Sequence, residues 1–287
     1  RFQTTLMLLF AIVALLLGAS GAGKSELIKD LCGSYQHHLG PRGHAKVMWL
    51  RTPTAVAGEA LPLRITKALL GTVPRKSKRA DVRDQAREAL SSAGVKILFV
   101  DEVNHFVEAY STRAAQTKEN RQIADWLKEL VDCGISLVLA GLPHIRQLLL
   151  DNEQLKRRAL GPMVLPPYSW VDPSERTFFA QAVAAFTARL KENNWLVSVP
   201  LEQLVPRAYG CTGGLIGLVQ ELYASAEHLG ARDRNLNLQL LSQAYERSFD
   251  RPQFANPFEG EIPSDEDLNR AYQLAAGSNR SPHARAR

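Results

Sequence analysis

Gly18-Ala19-Ser20-Gly21-Ala22-Gly23-Lys24-Ser25 sets glycines at the first and sixth places of a run that closes on a lysine and a hydroxyl. That order matches G-x-x-x-x-G-K-[ST] in full. Glycine allows the backbone to curl so that successive N–H groups point inward, and a helix starting where the curl ends adds the positive end of its dipole; together these cradle a phosphate. In such a loop the lysine reaches the β- and γ-phosphates and the hydroxyl ligates Mg²⁺. Gly18 to Glu26 is therefore the candidate nucleotide-binding segment, with Lys24 catalytic and Ser25 a metal ligand. Farther along, Asp101 and Glu102 close the run Lys96-Ile97-Leu98-Phe99-Val100. An adjacent carboxylate pair at a strand end can do no more than cap a turn, but in a chain with a phosphate loop it has the form of a Walker B element. Asp101 then holds the Mg²⁺ shell, and Glu102, one residue farther out, polarises the attacking water. Hydrolysis of a nucleoside triphosphate, rather than binding alone, is the expected chemistry.

These side chains need a frame. Ile12 to Leu17 reads as a fully buried parallel strand feeding the glycine loop, and Glu26 to Leu31 as the helix after it. Val47 to Arg51 reads as a short strand, Leu61 to Leu70 and Asp81 to Ser91 as helices, Asn120 to Val131 as another helix, and Ile135 to Ala140 as a further apolar strand. Strands alternating with helices predict a parallel, doubly wound sheet. Lys24 and Asp101 are 77 positions apart, enough for an inserted strand and its helices, which points to an additional-strand type of P-loop core. After Pro166-Pro167 and Asp172-Pro173 the pattern becomes helical, over Ser174 to Leu190, Leu201 to Ala208, Leu215 to Leu229 and Leu236 to Ser248, with no convincing strand. The expected organisation is an α/β nucleotide-binding core over 1–170, a small all-helical lid over 171–250 and an extended, poorly packed C-terminal tail over 251–287.

Composition bounds the alternatives. At 287 residues, 45% hydrophobic and 22% charged, the chain is long enough for a packed core, and disorder, collagen-like repeats and a multi-spanning membrane protein all fit poorly. Three widely spaced cysteines, Cys32, Cys133 and Cys211, indicate neither a disulfide framework nor a structural zinc site and suit a reducing cytosol. The net charge of +6 is modest, so its distribution matters more than its size. The densest cluster is Arg75-Lys76-Ser77-Lys78-Arg79, which is either a solvated surface loop or a track for a phosphate backbone. Leu6 to Leu17 is uninterruptedly apolar, too short for a spanning helix and without a cleavage site after it; for its first half, Leu6 to Ala11, a membrane anchor and an unnatural start of the chain both stay open.

The glycine loop, the Asp101-Glu102 strand, a further strand and then a helical lid resemble an AAA+ ATPase. More narrowly, the chain resembles the TniB/TnsC family of transposition ATPases in Leu15 to Lys29, in VKILFVDEVNHF from Val95 to Phe106, in CGISLVLAGLP from Cys133 to Pro143, in DNEQLKRRALGPMVLPPY from Asp151 to Tyr168 and in GCTGGLIGLVQELYASA from Gly210 to Ala226. The resemblance implies an ATP- and Mg²⁺-dependent ATPase that oligomerises as a ring or helix on duplex DNA and bridges a TniQ-type target selector to a transposase, without being the recombinase. It implies a bacterial cytosolic, DNA-associated protein with no stable membrane association. That the base is adenine is likewise implied by the resemblance.

Carried over residue by residue, the resemblance implies that Arg157 or Arg158 faces the γ-phosphate of a neighbouring subunit, a task suited to a guanidinium that stays charged and binds phosphate bidentately. It implies that Arg75, Lys76, Lys78 and Arg79 form a DNA-facing loop, with Lys67 a companion. Two positions depart from the pattern. Gly141-Leu142-Pro143 stands where a polar sensor is usual, and Leu218 stands where a lid arginine often senses nucleotide, so hydrolysis is expected to be slow or partner-stimulated. Rival readings are a replication or helicase-loading factor related to DnaA-type initiators, a membrane-linked ATPase of the ExeA secretion type, and a signalling NTPase that never engages DNA.

Overall fold

The computed structural model describes residues 11–38, 46–52, 60–71, 79–107, 113–150, 152–249 and 255–277. By its contacts the chain divides into two units, Arg1–Gly18 with Lys24–Leu165, and Ala19–Gly23 with Pro166–Arg287. In the first unit the apolar run that precedes the glycine loop forms β1 (Val13–Leu17), and α1 (Lys24–His38) follows the loop. Then come β2 (Lys46–Arg51), α2 (Ala60–Leu70), α3 (Arg79–Ser92), β3 (Val95–Asp101), α4 (Arg113–Asp132), β4 (Ser136–Gly141) and the two-residue β5 (Met163–Val164). The strands form one parallel sheet in the order β2-β3-β4-β1-β5. The inserted strand inferred from the spacing is β2, which lies between Lys24 and Asp101 in the chain and pairs with β3 at the edge of the sheet, while β4, which follows Asp101 in the chain, separates β1 from β3.

Alternation along each strand divides the core by face. Leu16, Phe99 and Ala140 pack with Ile28 of α1 on one side. Leu15, Leu17, Leu98, Val100, Leu137 and Leu139 pack on the other, with Ile65 of α2, Leu90 of α3 and Leu127 of α4. Burial on both faces is why these strands read as continuous apolar runs, and a slip of one residue would exchange the two sets. The helices outrun their expected limits where polar turns hide the period. Thus α4 begins at Arg113 rather than Asn120, through the helix-compatible but unpatterned RAAQTKE.

The second unit holds α5 (Pro173–Glu192), β6 (Leu196–Val197), α6 (Leu201–Thr212), α7 (Ile216–Leu229), β7 (Asn235–Leu236), α8 (Leu238–Ser248) and α9 (Asp265–Gly277). Asp172 caps α5 by accepting from Ser174 N and Glu175 N, with Pro173 opening the helix, and Asn237 caps α8 through Leu240 N. Tyr209 is fully buried between the rings of Trp170 and Phe179, at 4.8 and 5.0 Å.

Two expectations are corrected here. The unit is not all-helical, since β6 and β7 pair as a parallel ribbon, each too short to carry a readable alternation. Nor are residues 255–277 a loosely packed tail. The sequence after Pro263 folds as α9, which buries Leu268, Ala271 and Ala275. The segment before it is hooked by the buried guanidinium of Arg207, which donates to Pro257 O at 2.7 Å and Gly260 O at 2.9 Å. Prolines and glycines there break the period, and that hook supplies the order which patterning does not. Residues Leu6 to Phe10 of the apolar N-terminal run lie outside the described residues. Among the described residues no helix is long and apolar enough to cross a membrane.

Candidate functional site

Gly18, the first residue after β1, donates its N–H to Gly141 O at 3.2 Å, so the loop leaves the sheet bonded to the end of β4. Gly21 and Gly23 take φ of +78° and +93°, left-handed values that let the chain curl as a side chain would resist. Ala22 N closes the curl onto Ala19 O at 3.2 Å, and Ser20 is exposed on it. Lys24 opens α1, is 8% exposed, and donates from Nζ to Gly18 O at 2.8 Å. Burial lowers its pKa from the ordinary lysine value, with the Glu102 and Asp101 carboxylates opposing that shift. Glu26, in the first turn of α1, is exposed and pairs with Lys29 at 2.6 Å rather than facing the loop.

The carboxylates sit where β3 ends. Asp101 is 1% exposed and accepts from Ser25 Oγ at 2.5 Å, which joins the two predicted metal ligands. A hydroxyl and a carboxylate are the hard oxygen donors Mg²⁺ takes. Among the described residues no group of three or more His, Cys, Asp or Glu side chains is arranged to hold a metal, so phosphate and water oxygens would complete this shell. Glu102 departs from the strand with φ of +57°, an uncommon value for a non-glycine residue, and its N–H donates to Asp101 Oδ1 at 2.9 Å. Its carboxylate meets Arg51 Nη2, at the end of β2, at 3.4 Å. The sequence reading missed Arg51, since it belongs to no motif and only strand pairing brings β2 beside β3.

Arg157 and Arg158 lie elsewhere. Arg158 O accepts from Val13 N, at the start of β1, whereas the phosphate loop follows the end of β1, roughly 15 Å away at 3.3 Å per residue. The two arginines also differ. Arg158 is tied into the fold, bonded to Asp132 at 2.6 Å and to Gln154 O at 2.8 Å. Arg157 is 81% exposed and meets Glu153 at 3.9 Å. Of the basic residues, Lys67 is exposed in the last turn of α2 and Arg79 begins α3, while Arg75, Lys76 and Lys78 lie outside the described residues.

Within the second unit, the loop residues Ala19–Gly23 meet the start of α7. Gly21 O accepts from Gly217 N at 2.7 Å, and Ala19 is buried with Leu215 and Ala275. A Cβ on Gly217 would stand 2.6 Å from Gly21 Cα. The legible signal is the second glycine of Gly214-Leu215-Ile216-Gly217, which the sequence reading did not use. Leu218 follows it, against the same loop residue. Gly217→Ala is expected to push the loop aside and weaken nucleotide binding about tenfold or more, about 1.4 kcal/mol. Gly33→Ala in α1, where a Cβ meets open space, is expected to leave affinity unchanged. Titration with a fluorescent nucleotide reads both; equal affinities for Gly217→Ala and the parent would refute the close contact.

A five-stranded parallel sheet with a glycine loop after β1, an Asp-Glu pair closing β3 and an inserted β4 defines a P-loop ATPase of the AAA+ class. The family described as Bacterial TniB protein matches residues 12–170, more than half of the chain, and the chain belongs to that family. Among solved structures it is similar to the ORC2 protein of Aeropyrum pernix in its ADP form, at 13% identity and TM-score 0.62, over 96% of this chain and 77% of that one. It is also similar to ORC2 in its ADPNP-ADP complexes, at 13% identity and TM-score 0.54, over 82% of this chain and 61% of that one. A third similar structure is the A. pernix ORC1 protein in complex with DNA, at 17% identity and TM-score 0.48, over 92% of this chain and 59% of that one. At these identities the likeness is one of fold, and the chain spans about three fifths of the length of the last two. No curated protein sequence matches it.

Proposed function

We propose that this chain is an ATP-dependent regulator of DNA transposition, which assembles on duplex DNA and links a TniQ-type target selector to the transposase. Membership of the TniB family supports the biological role, and adenine nucleotides in the ORC2 structures of like fold support ATP. The observation that carries the assembly is the separation of Arg157 from its own chain's phosphate loop. An exposed guanidinium at the opposite end of β1 can complete a triphosphate site only in a second copy.

In this reading Lys24 and the loop N–H groups bind the β- and γ-phosphates, and Ser25 with Asp101 holds Mg²⁺, which offsets charge on the phosphates when bound. Glu102 polarises the attacking water, and Arg157 of the neighbouring copy faces the γ-phosphate. Arg158 supports the segment that carries Arg157. The loop over Arg75, Lys76, Lys78 and Arg79, with Lys67, tracks the DNA backbone without reading bases.

Sedimentation with and without duplex DNA, in ATP, ADP and a non-hydrolysable ATP analogue at two salt concentrations, tests the reading. Large DNA-dependent particles are expected with the triphosphates only. Replacing Arg75, Lys76, Lys78 and Arg79 by Ala should weaken DNA binding evenly across sequences and flatten its salt dependence, by up to about 0.9 in log-log slope for each phosphate no longer neutralised. Arg157→Ala should keep nucleotide binding and lose assembly-stimulated turnover. Particles indifferent to DNA would overturn the proposal.

A further inference from the structure

The phosphate loop carries glycines at 18, 21 and 23, and the freedom that lets it curl also makes it costly to order. An element that holds the curl before nucleotide arrives removes part of that cost and so raises affinity. One hold comes from α7, where Gly217 N donates to Gly21 O at 2.7 Å. A second comes from the far end of the sequence. Ala275, in the last turn of α9, is 5% exposed and is buried in one apolar cluster with Ala19 of the loop and with Leu215. Ala22 and Leu218 pack against that cluster.

The rest of α9 explains how it is seated there. Its first turn is capped reciprocally, Ser264 Oγ accepting from Asp267 N at 3.2 Å and Asp267 Oδ2 accepting from Ser264 N at 3.1 Å, and Asp265 Oδ1 accepts from Trp170 Nε1 at 2.8 Å. Farther along, α9 lies on bare backbone. Gly213, at the end of α6, takes φ of +61°, and a Cβ on it would stand 2.5 Å from Ala271 O and 2.7 Å from Ala275 Cβ. The next residue is fixed too, since Gly214 O accepts from Tyr168 N at 3.0 Å. The run from Gly213 to Gly217 is thus held by α9 and Tyr168 and meets the loop through Leu215 and Gly217. So α9 bears on the loop twice, directly at Ala19 and through that run.

We infer that α9 is a positioning element of the phosphate loop and that Ala275 is the residue through which it acts. A methyl at 275 meets Gly213 and Ala19 without displacing either. A longer side chain has close-packed backbone against it at Gly213 and is accommodated by pushing the loop out of its curl. The coupling is reciprocal, so a nucleotide that orders the loop also holds α9 more firmly. The segment that reads in the sequence as a loose tail then supports the nucleotide site.

This inference rests on the loop being an ATP site, and its test keeps the two apart. In the full chain, Ala275→Leu is expected to weaken binding of a fluorescent ATP analogue about tenfold or more, with Tm within a few degrees of the parent. Adding Ala19→Gly, which opens space on the loop, is expected to recover part of the lost affinity, as residues in contact do and distant ones do not. Hydrogen exchange in the parent needs no substitution. A saturating non-hydrolysable ATP analogue is expected to slow the amides of residues 271–277 about tenfold more than those of α8. Parent-like affinity in Ala275→Leu, or equal slowing in α8 and α9, would overturn the inference and leave the ATP reading intact. Affinity that falls only together with Tm, with no recovery in the double variant, would make Ala275 a packing residue of the fold and also overturn it. A parent that binds no ATP analogue would overturn both.

Discussion

Lys24→Ala should weaken nucleotide binding by about 100-fold or more, and triphosphate-dependent assembly should vanish with it. In the proposed site the ammonium would contribute charge-assisted hydrogen bonds to phosphate worth about 1.5–3 kcal/mol each, and alanine replaces none of them. The loop also loses its own brace, because Lys24 Nζ ties α1 back to Gly18 O. A pH signature accompanies the effect. Burial lowers the pKa of Lys24, the Glu102 and Asp101 carboxylates opposing that shift, so the charged form is harder to hold here than in water. A triphosphate binds the charged form, so affinity falls as pH rises, and the fall begins below the ordinary lysine range near 10.4. Anisotropy of a fluorescent ATP analogue, titrated from neutral to alkaline pH, reads both effects. Comparable affinity in Lys24→Ala and the parent at neutral pH would remove Lys24 from the site.

Glu102→Gln is the second large effect, and it separates binding from chemistry. Glutamine keeps the size and the backbone N–H that donates to Asp101, but it cannot take a proton, and loss of a positioned general base costs about 10²–10⁴-fold in turnover. Nucleotide affinity should stay within a few-fold, since the residue also gives up only a half-exposed pair with Arg51, of a kind worth about 0–1 kcal/mol. Assemblies formed with ATP should then persist as they do with a non-hydrolysable analogue. Phosphate release and particle lifetime, measured on the same samples, check the two halves; equal turnover in Glu102→Gln and the parent would refute the role given to Glu102.

Much of the fold was legible because a buried parallel strand must be apolar on both faces. Val13 to Leu17, Ile97 to Val100 and Leu137 to Ala140 could be read as strands for that reason. The 77 positions from Lys24 to Asp101 are too many for a bare strand-helix-strand unit and pointed to an inserted strand, which is β2, whereas the place of β4 between β1 and β3 came from the tertiary structure. The segments that escaped reading lack such a pattern. β6 and β7 are two residues each, and the chain before α9 is ordered by carbonyls bonded to Arg207, an interaction between groups about fifty positions apart.

The site divides in the same way. The loop from Gly18 to Ser25, Asp101 and Glu102 of the candidate site were legible in the sequence alone, because close backbone approach to a phosphate and charge at a strand end each demand particular residue types at fixed local spacing. Tertiary structure alone decided the rest. It distinguished Arg157, exposed, from Arg158, held by Asp132, though the two are neighbours of one type. It brought Arg51 to Glu102, and within the second unit it set Gly217 on Gly21. Each of these joins residues on different elements, whose separation in the chain carries no period or motif. Their proximity follows from strand order and packing.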